Sequence, residues 1–152
     1  EYLFQVFLGR GGESTLSQEA LRHIITRQTD EGLVIEIFDR ENAALFPMDS
    51  VQPNQIAVEI AKVLATYLEI VTNPLAIRAH VQAQPIVRVE NTVWQLSMDR
   101  ATVLRELLED GGYEPAKIVR LAGKADRAPA MPEDPTAVRN NRIEIIVLRS
   151  DL

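Results

Sequence analysis

The chain contains no cysteine among its 152 residues. Disulfides, thiolate zinc sites, iron–sulfur clusters and a cysteine nucleophile are therefore excluded. Histidine is almost as scarce, with only His23 and His80. No two histidines have metal-site spacing, so a three-ligand zinc site would have to recruit carboxylates from elsewhere. Positive charge is also in deficit, and the formal net charge is −6. General affinity for DNA or RNA needs clustered Lys and Arg, so it is not expected. Long apolar runs are missing too: none reaches membrane-spanning length. The opening Tyr2 to Leu8 is too short and lacks a basic leader and a cleavage site. A start at Glu1 rather than Met reads as an excised soluble fragment whose anchor or signal has been cut away.

What is present suits an ordinary globular domain. Hydrophobic residues make up 46% and charged residues 25%, and this length can bury a good core. The glycine-rich Gly9 to Ser14 reads as a linker, because it lacks the Gly-Lys-Ser/Thr ending of a phosphate loop. Thr15 or Ser17 is expected to cap a short helix through Thr26, with Leu16, Ala20 and Ile24 at helical spacing. Leu33 to Phe38 alternates as a strand, and Asp39 to Pro53 reads as a loop. A helix begins at Asn54 with Ile56, Ile60, Val63, Leu64 and Tyr67 on one stripe, and Asn73-Pro74 ends it. Leu75 to Val81 is the second strand and Gln82 to Asn91 a loop. Thr92-Val93-Trp94-Gln95 fits a capping box opening a helix to Asp110, with Val93, Leu96, Leu104 and Leu107 on one face. Gly111-Gly112 ends that helix. Ile118 to Ala122 is the third strand, Gly123 to Val138 a polar loop, and Asn141 to Leu148 the last strand.

The resulting order is strand, helix, strand, helix, strand, strand. It predicts an α+β, two-layer architecture, a mixed sheet with helices on one face.

Two segments stand out as candidate chemistry. Trp94 to Ala101 sets Arg100 on an amphipathic helix, and Asn140 to Ile145 sets Arg142 at the start of a strand. If the fold joined the two arginines, they would form a cationic pocket for a carboxylate on an acidic protein. Arg100 reads equally as an ion-pair partner of a local acid such as Asp99 or Glu144. Arg139 and Arg142 read equally as exposed arginines or ligand contacts. His80, at a strand end, is either a local backbone partner or a site residue. Trp94 on an amphipathic helix reads first as core packing and second as a ligand platform. Enzyme signatures are poor: Ser14 and Ser97 lack a Gly-x-Ser-x-Gly context. The acid pairs Asp39/Glu41 and Asp99/Glu106 read as solvated faces rather than acid/base machinery. No cofactor is expected.

These segments resemble the C-terminal domain of the OmpA family. The family pattern is Asn-x-x-Leu-Ser-x-x-Arg-Ala on a helix and later Asn-Arg-Arg-Val/Ile-Glu-Ile on a strand. Here Val93 to Ala101 and Asn140 to Ile145 fill those places, and Leu45 to Ser50 is similar to the family's Met-Phe-x-x-Gly-Ser. The Trp94-x-Leu96-Ser97-x-Asp99-Arg100-Ala101 version, Gly111-Gly112, Lys117 to Arg120 and Pro135 to Val138 look most like flagellar stator subunits of the MotB type.

The resemblance covers about Gly32 to Leu148. It implies a linker and N-terminal helical segment over 1–31 and an OmpA-like βαβαββ domain over 32–152. It further implies a non-enzymatic periplasmic anchoring domain of a single-span inner-membrane protein, tethering an ion-driven stator to peptidoglycan. The implied partners are peptidoglycan, a second copy of the chain, and a MotA-type stator subunit met through a membrane helix outside these residues. The implied ligand contacts are His80, Gln82, Leu96, Ser97, Arg100 and Arg142. Departures accompany this. The family's Gly-His-Thr-Asp is Ala79-His80-Val81-Gln82, so the acid that pairs with the ammonium of diaminopimelate is absent. Val93 replaces an asparagine, and Asn141 replaces the first arginine of the last motif. A lost charged hydrogen bond weakens binding by roughly 1.5–3 kcal/mol, about tenfold to a hundredfold. The expectation is a weakened wall binder, or alternatively an OmpA-like dimerisation or protein-interaction module that has lost peptidoglycan.

Overall fold

A computed structural model of the chain describes residues 17–84 and 92–149. The linker and apolar start expected before residue 17, and Pro85 within the expected loop, lie outside the described residues. Ser17 caps the first helix, α1 (Gln18–Leu21), by accepting a hydrogen bond from the Ala20 N–H. The helix does not continue through Thr26 as expected. Ile24–Gln28 forms strand β1 and pairs antiparallel with β2 (Gly32–Phe38). The local run Ile24-Ile25-Thr26 is β-branched, which favours the pleated conformation over a helix. The hairpin closes at Gly32, whose φ of +144° and contact with Val147 leave no room for a Cβ.

Helix α2 (Gln55–Leu68) buries Ala57, Ile60, Ala61, Leu64, Ala65 and Leu68, while Ile56, Val63 and Tyr67 of the expected stripe pack at its edge. Strand β3 (Leu75–His80) follows, then helix α3 (Val93–Asp110), β4 (Ile118–Gly123) and β5 (Arg142–Leu148). Short 3-10 turns over Pro115–Lys117 and Val138–Asn140 precede the last two strands. The capping box at the start of α3 is not formed. Thr92 sits in the αR region (φ −94°, ψ −7°) and its side chain makes no cap bond. Caps need the extended conformation to aim the hydroxyl at free N–H groups. Gln95 instead donates to Asp99 one turn on, at 2.8 Å. The glycine stop is as expected: Gly112 takes φ +101°, and the Tyr113 N–H returns to the Leu108 carbonyl.

The sheet is five-stranded and mixed, in the order β1-β2-β5-β3-β4. β5 inserts antiparallel between β2 and β3, and β4 runs parallel to β3. Alternation along the strands divides the sheet into two faces. Ile35, Ile37, Leu75, Ile77, Ile143, Ile145 and Val147 join α2 and α3 in one apolar core. The opposite face carries Val34, Ala76 and Ile146 together with Glu36, Arg78, His80, Arg142 and Glu144. Among the described residues, no helix is long and apolar enough to cross a membrane.

Candidate functional site

The first turns of α3, the end of β3 and the loop after β2 converge on a cavity of about 440 Å³. Arg100 lies in it because Leu104 and Ala101 anchor the same helical face in the core, so the arginine is itself 5% exposed. Its guanidinium stacks on Phe46, 4.8 Å from the ring centroid. Nε donates to the Ser50 carbonyl at 3.0 Å and Nη2 to the Pro47 carbonyl at 3.1 Å. Those two carbonyls belong to one turn, closed by the Ser50 N–H on the Pro47 carbonyl. Arg100 therefore forms no ion pair with Asp99 or Glu144; it pins the loop that forms the cavity lip. Burial lowers its affinity for a proton, and the charges of Asp39 and Asp49 oppose that.

Gln82 and Leu96 line the same cavity. Gln82 is held on both sides: Nε2 donates to the Thr136 carbonyl at 2.9 Å, and Oε1 accepts from Asn141 at 2.6 Å. Asn141 also donates to Asp39 at 3.1 Å and accepts from the Gln82 N–H at 2.7 Å. Asp39 is 4% exposed, so it is not the solvated acid its sequence context suggests; burial pushes its carboxyl up against hydrogen bonds from Leu45 and Asn141. The sequence assigns no site role to Asp39, Phe46 or Asp49: Asp39 reads as a solvated acid beside Glu41, and Phe46 and Asp49 enter only through the likeness of Leu45 to Ser50 to a family motif. Asn141 stands out only as a departure from a motif. Loop residues between regular elements are where sites concentrate, and that position is the signal the sequence offers for them beside the motif likeness of Leu45 to Ser50.

The other expected contacts are placed differently. Ser97 is fully buried; its hydroxyl donates to the Trp94 carbonyl and accepts from the Ala125 N–H at 2.9 Å. Val93 packs with Val81 and Ala125 in a small apolar cluster, edged by Leu96. His80 and Arg142 are on the far side of the sheet, so the structure does not bring Arg142 into the cavity of Arg100. Strand parity gives the reason. Ile143, Ile145 and Val147 face the helices, so Arg142, Glu144 and Ile146 face away.

On that far side Glu144 is 2% exposed and accepts hydrogen bonds from His80 Nε2 and Arg78 Nε, both at 2.8 Å, and from Arg27. Burial alone would raise its pKa, but the three donors together hold its carboxyl well below the ordinary range. The His80 pKa is lowered as well: burial and the charges of Arg142 and Arg78 depress it, against the Glu144 bond. Arg142 donates to the Ala128 and Asn140 carbonyls. Arg139 neither floats in solvent nor reaches the cavity; it pairs with Glu36 at 2.6 Å and stacks on Phe38. Trp94 is 46% exposed, with Arg127 over its ring at 5.9 Å, so it is not a core residue. Among the described residues, no group of three or more His, Asp or Glu side chains is arranged to hold a metal.

No family model matches the chain. Motility protein B of Escherichia coli K12 is 30% identical over 139 residues, covering 90% of this chain and 45% of that protein. The chain thus spans about half the length of the curated relative. In three dimensions the periplasmic domain of Helicobacter pylori MotB (residues 78–256) superposes with a TM-score of 0.70 at 20% identity, covering 84% of this chain and 82% of that one. A MotB-like protein from Desulfovibrio vulgaris gives 0.72 at 19% identity, covering 97% and 90%. The cell wall anchor of the type VI secretion system (T6SS) from Pseudomonas aeruginosa gives 0.67 at 21% identity, covering 86% and 90%. At these identities the structural matches establish the fold.

Proposed function

The chain is a homologue of Motility protein B carrying an OmpA-like domain, and from that premise we propose that it anchors a flagellar stator to the cell wall. In this reading it is a non-enzymatic periplasmic domain of an inner-membrane protein. It works as a dimer beside a MotA-type subunit and holds a carboxylate of a peptidoglycan stem peptide. The observation that carries the reading is Arg100. It is buried, stacked on Phe46 and held by two backbone carbonyls at the wall of the cavity. A guanidinium positioned in advance loses little freedom when it accepts a planar carboxylate. Gln82 and Leu96 line the same cavity and are assigned direct contact. Ser97, His80 and Arg142 are assigned to holding the surrounding framework, since none of them lines that cavity and each is engaged with protein partners elsewhere.

A pulldown with purified sacculi tests this. The parent protein is retained, and Arg100→Lys, which keeps charge without the planar fork, loses roughly tenfold or more of that retention. Circular dichroism establishes that the variant is folded. Strong retention indifferent to Arg100 refutes the assignment.

A second reading has its own observation. The Gln82 side chain is closed on both sides by Thr136 and Asn141, as in a module that serves protein assembly and no longer binds wall. It predicts no sacculus retention by the parent alongside robust self-association in sedimentation.

A further inference from the structure

A second cavity, of about 550 Å³, opens where the far face of the sheet meets the turn after β4 and the first turn of α3. It shares no lining residue with the cavity of Arg100. Its charges are unbalanced. Arg78, Lys124, Arg127 and Arg142 line it together with Glu144, the one acid among the described lining residues. This surplus of cations stands on a chain whose net charge is −6. Glu144 has little left to offer the cavity, because His80, Arg78 and Arg27 already donate to its carboxylate.

Lys124 and Arg127 form no ion pair with an acid among the described residues; Arg127 lies over the Trp94 ring instead. The turn that carries them is fixed. The Lys124 N–H donates to the Ala79 carbonyl and the Val81 N–H to the Ala125 carbonyl, both at 2.9 Å, while the Ala125 N–H donates to the Ser97 hydroxyl. Asp126, between them in the turn, does not line the cavity. Deeper in the wall, His80 and Arg142 are 5% and 8% exposed, and Nδ1 of His80 and Nε of Arg142 have no hydrogen-bond partner. The Arg142 Nε is 3.9 Å from Glu36, beyond hydrogen-bond range. Buried polar groups are ordinarily satisfied, so two unanswered ones beside a cationic cavity point to a missing partner.

The chemistry favours a phosphate over a carboxylate. A carboxylate presents two oxygens in one plane and pairs best with a single guanidinium. A phosphate presents its oxygens tetrahedrally and can draw on cations arriving from separate elements. Here they arrive from β3, β5 and the turn after β4. Trp94, 46% exposed, adds a flat apolar wall for an organic substituent.

We propose that this cavity binds the phosphate group of a phosphate ester, with Lys124 and Arg127 in direct contact and Arg142 behind them. The site is separate from the anchoring cavity and does not depend on the wall-anchoring reading.

Trp94 is the only tryptophan in the chain, so its fluorescence reports on this cavity. The protein is titrated with inorganic phosphate, glycerol 3-phosphate and the dicarboxylate pimelate, at an ionic strength held constant with sodium chloride to remove general screening. Calorimetry repeats each titration without relying on Trp94. Both phosphates saturate, and bind about tenfold or more tightly than pimelate. The double variant Lys124→Gln/Arg127→Gln weakens both by about tenfold or more. Both side chains are exposed, and circular dichroism checks that the variant is folded. Cosedimentation with phosphatidylglycerol vesicles, absent with phosphatidylcholine vesicles and lost in the double variant, supports the site with a lipid headgroup as the source of the ester. Binding of glycerol 3-phosphate without cosedimentation supports it with a free ester as the source. No saturable response to either phosphate, an equal affinity for pimelate, or titrations unchanged in the double variant overturns the proposal.

Discussion

Replacing Glu144 by glutamine is the sharpest probe of the far face of the sheet. The carboxylate accepts three hydrogen bonds at 2% exposure. An amide keeps one acceptor oxygen and turns an NH2 group towards a guanidinium, so donor meets donor. The three partners do not suffer equally. Arg27 has 43% of its side chain exposed and retains Glu36, so it falls back on water and a second acid. Arg78 is 22% exposed and retains Glu31 at 3.0 Å. His80, at 5% exposure, has no such escape. Removing one member of a buried ion pair typically costs about 3–5 kcal/mol. With two arginines able to reach solvent, the expected cost lies at the low end, about 3 kcal/mol. For a chain of this size each kcal/mol moves Tm by about 2–4 °C, giving a loss of about 6–12 °C. Thermal melts at neutral pH, with urea titrations to check an unchanged m-value, measure it. Glu31→Gln serves as the control. Its carboxylate is 42% exposed, and exposed pairs contribute about 0–1 kcal/mol. If Glu144→Gln melts within about 2 °C of the parent, or no lower than Glu31→Gln, the network is not the buried electrostatic support described above.

Two further outcomes follow from the same geometry. Ser97→Ala deprives the buried Ala125 N–H of its acceptor at 2.9 Å, at a cost of about 1–3 kcal/mol by denaturant titration; because Ser97 is fully buried, affinity for diaminopimelate should not change. The pKa of His80 is lowered on folding by burial and by Arg142 and Arg78, so its contribution is present above its unfolded pKa of about 6.5 and is lost as pH falls towards the depressed folded value. Stability measured from about pH 8 to about pH 5 should therefore fall less steeply in His80→Gln than in the parent. An equal slope in the two proteins refutes a role for His80 in the acid response.

Much of this molecule is written in residue periodicity, because burying one face of a helix or strand constrains every third, fourth or second residue. The stripes of α2 and α3 and the alternation of β2, β3 and β5 are legible in that way, and so is the glycine stop at Gly111-Gly112. The sequence also contains the parity that sends Arg142 away from the helices, since Ile143, Ile145 and Val147 are the apolar partners in alternation. That parity, combined with a one-sided helical layer, is enough to separate Arg142 from Arg100. Ile24 is where periodicity misleads: it lies one helical turn from Ala20, yet hydrogen bonding to β2 and a β-branched local run put it in a strand. Thr92 shows a motif failing for want of the right backbone conformation. Only the tertiary structure decided that β5 enters between β2 and β3, since strand order is a matter of long-range pairing that local pattern does not encode. The same long-range closure brings Asp39, Phe46, Asp49 and Asn141 around Arg100 and encloses the Glu144 carboxylate. No local pattern shows which distant groups will share a cavity, because that depends on where chain segments far apart in sequence meet.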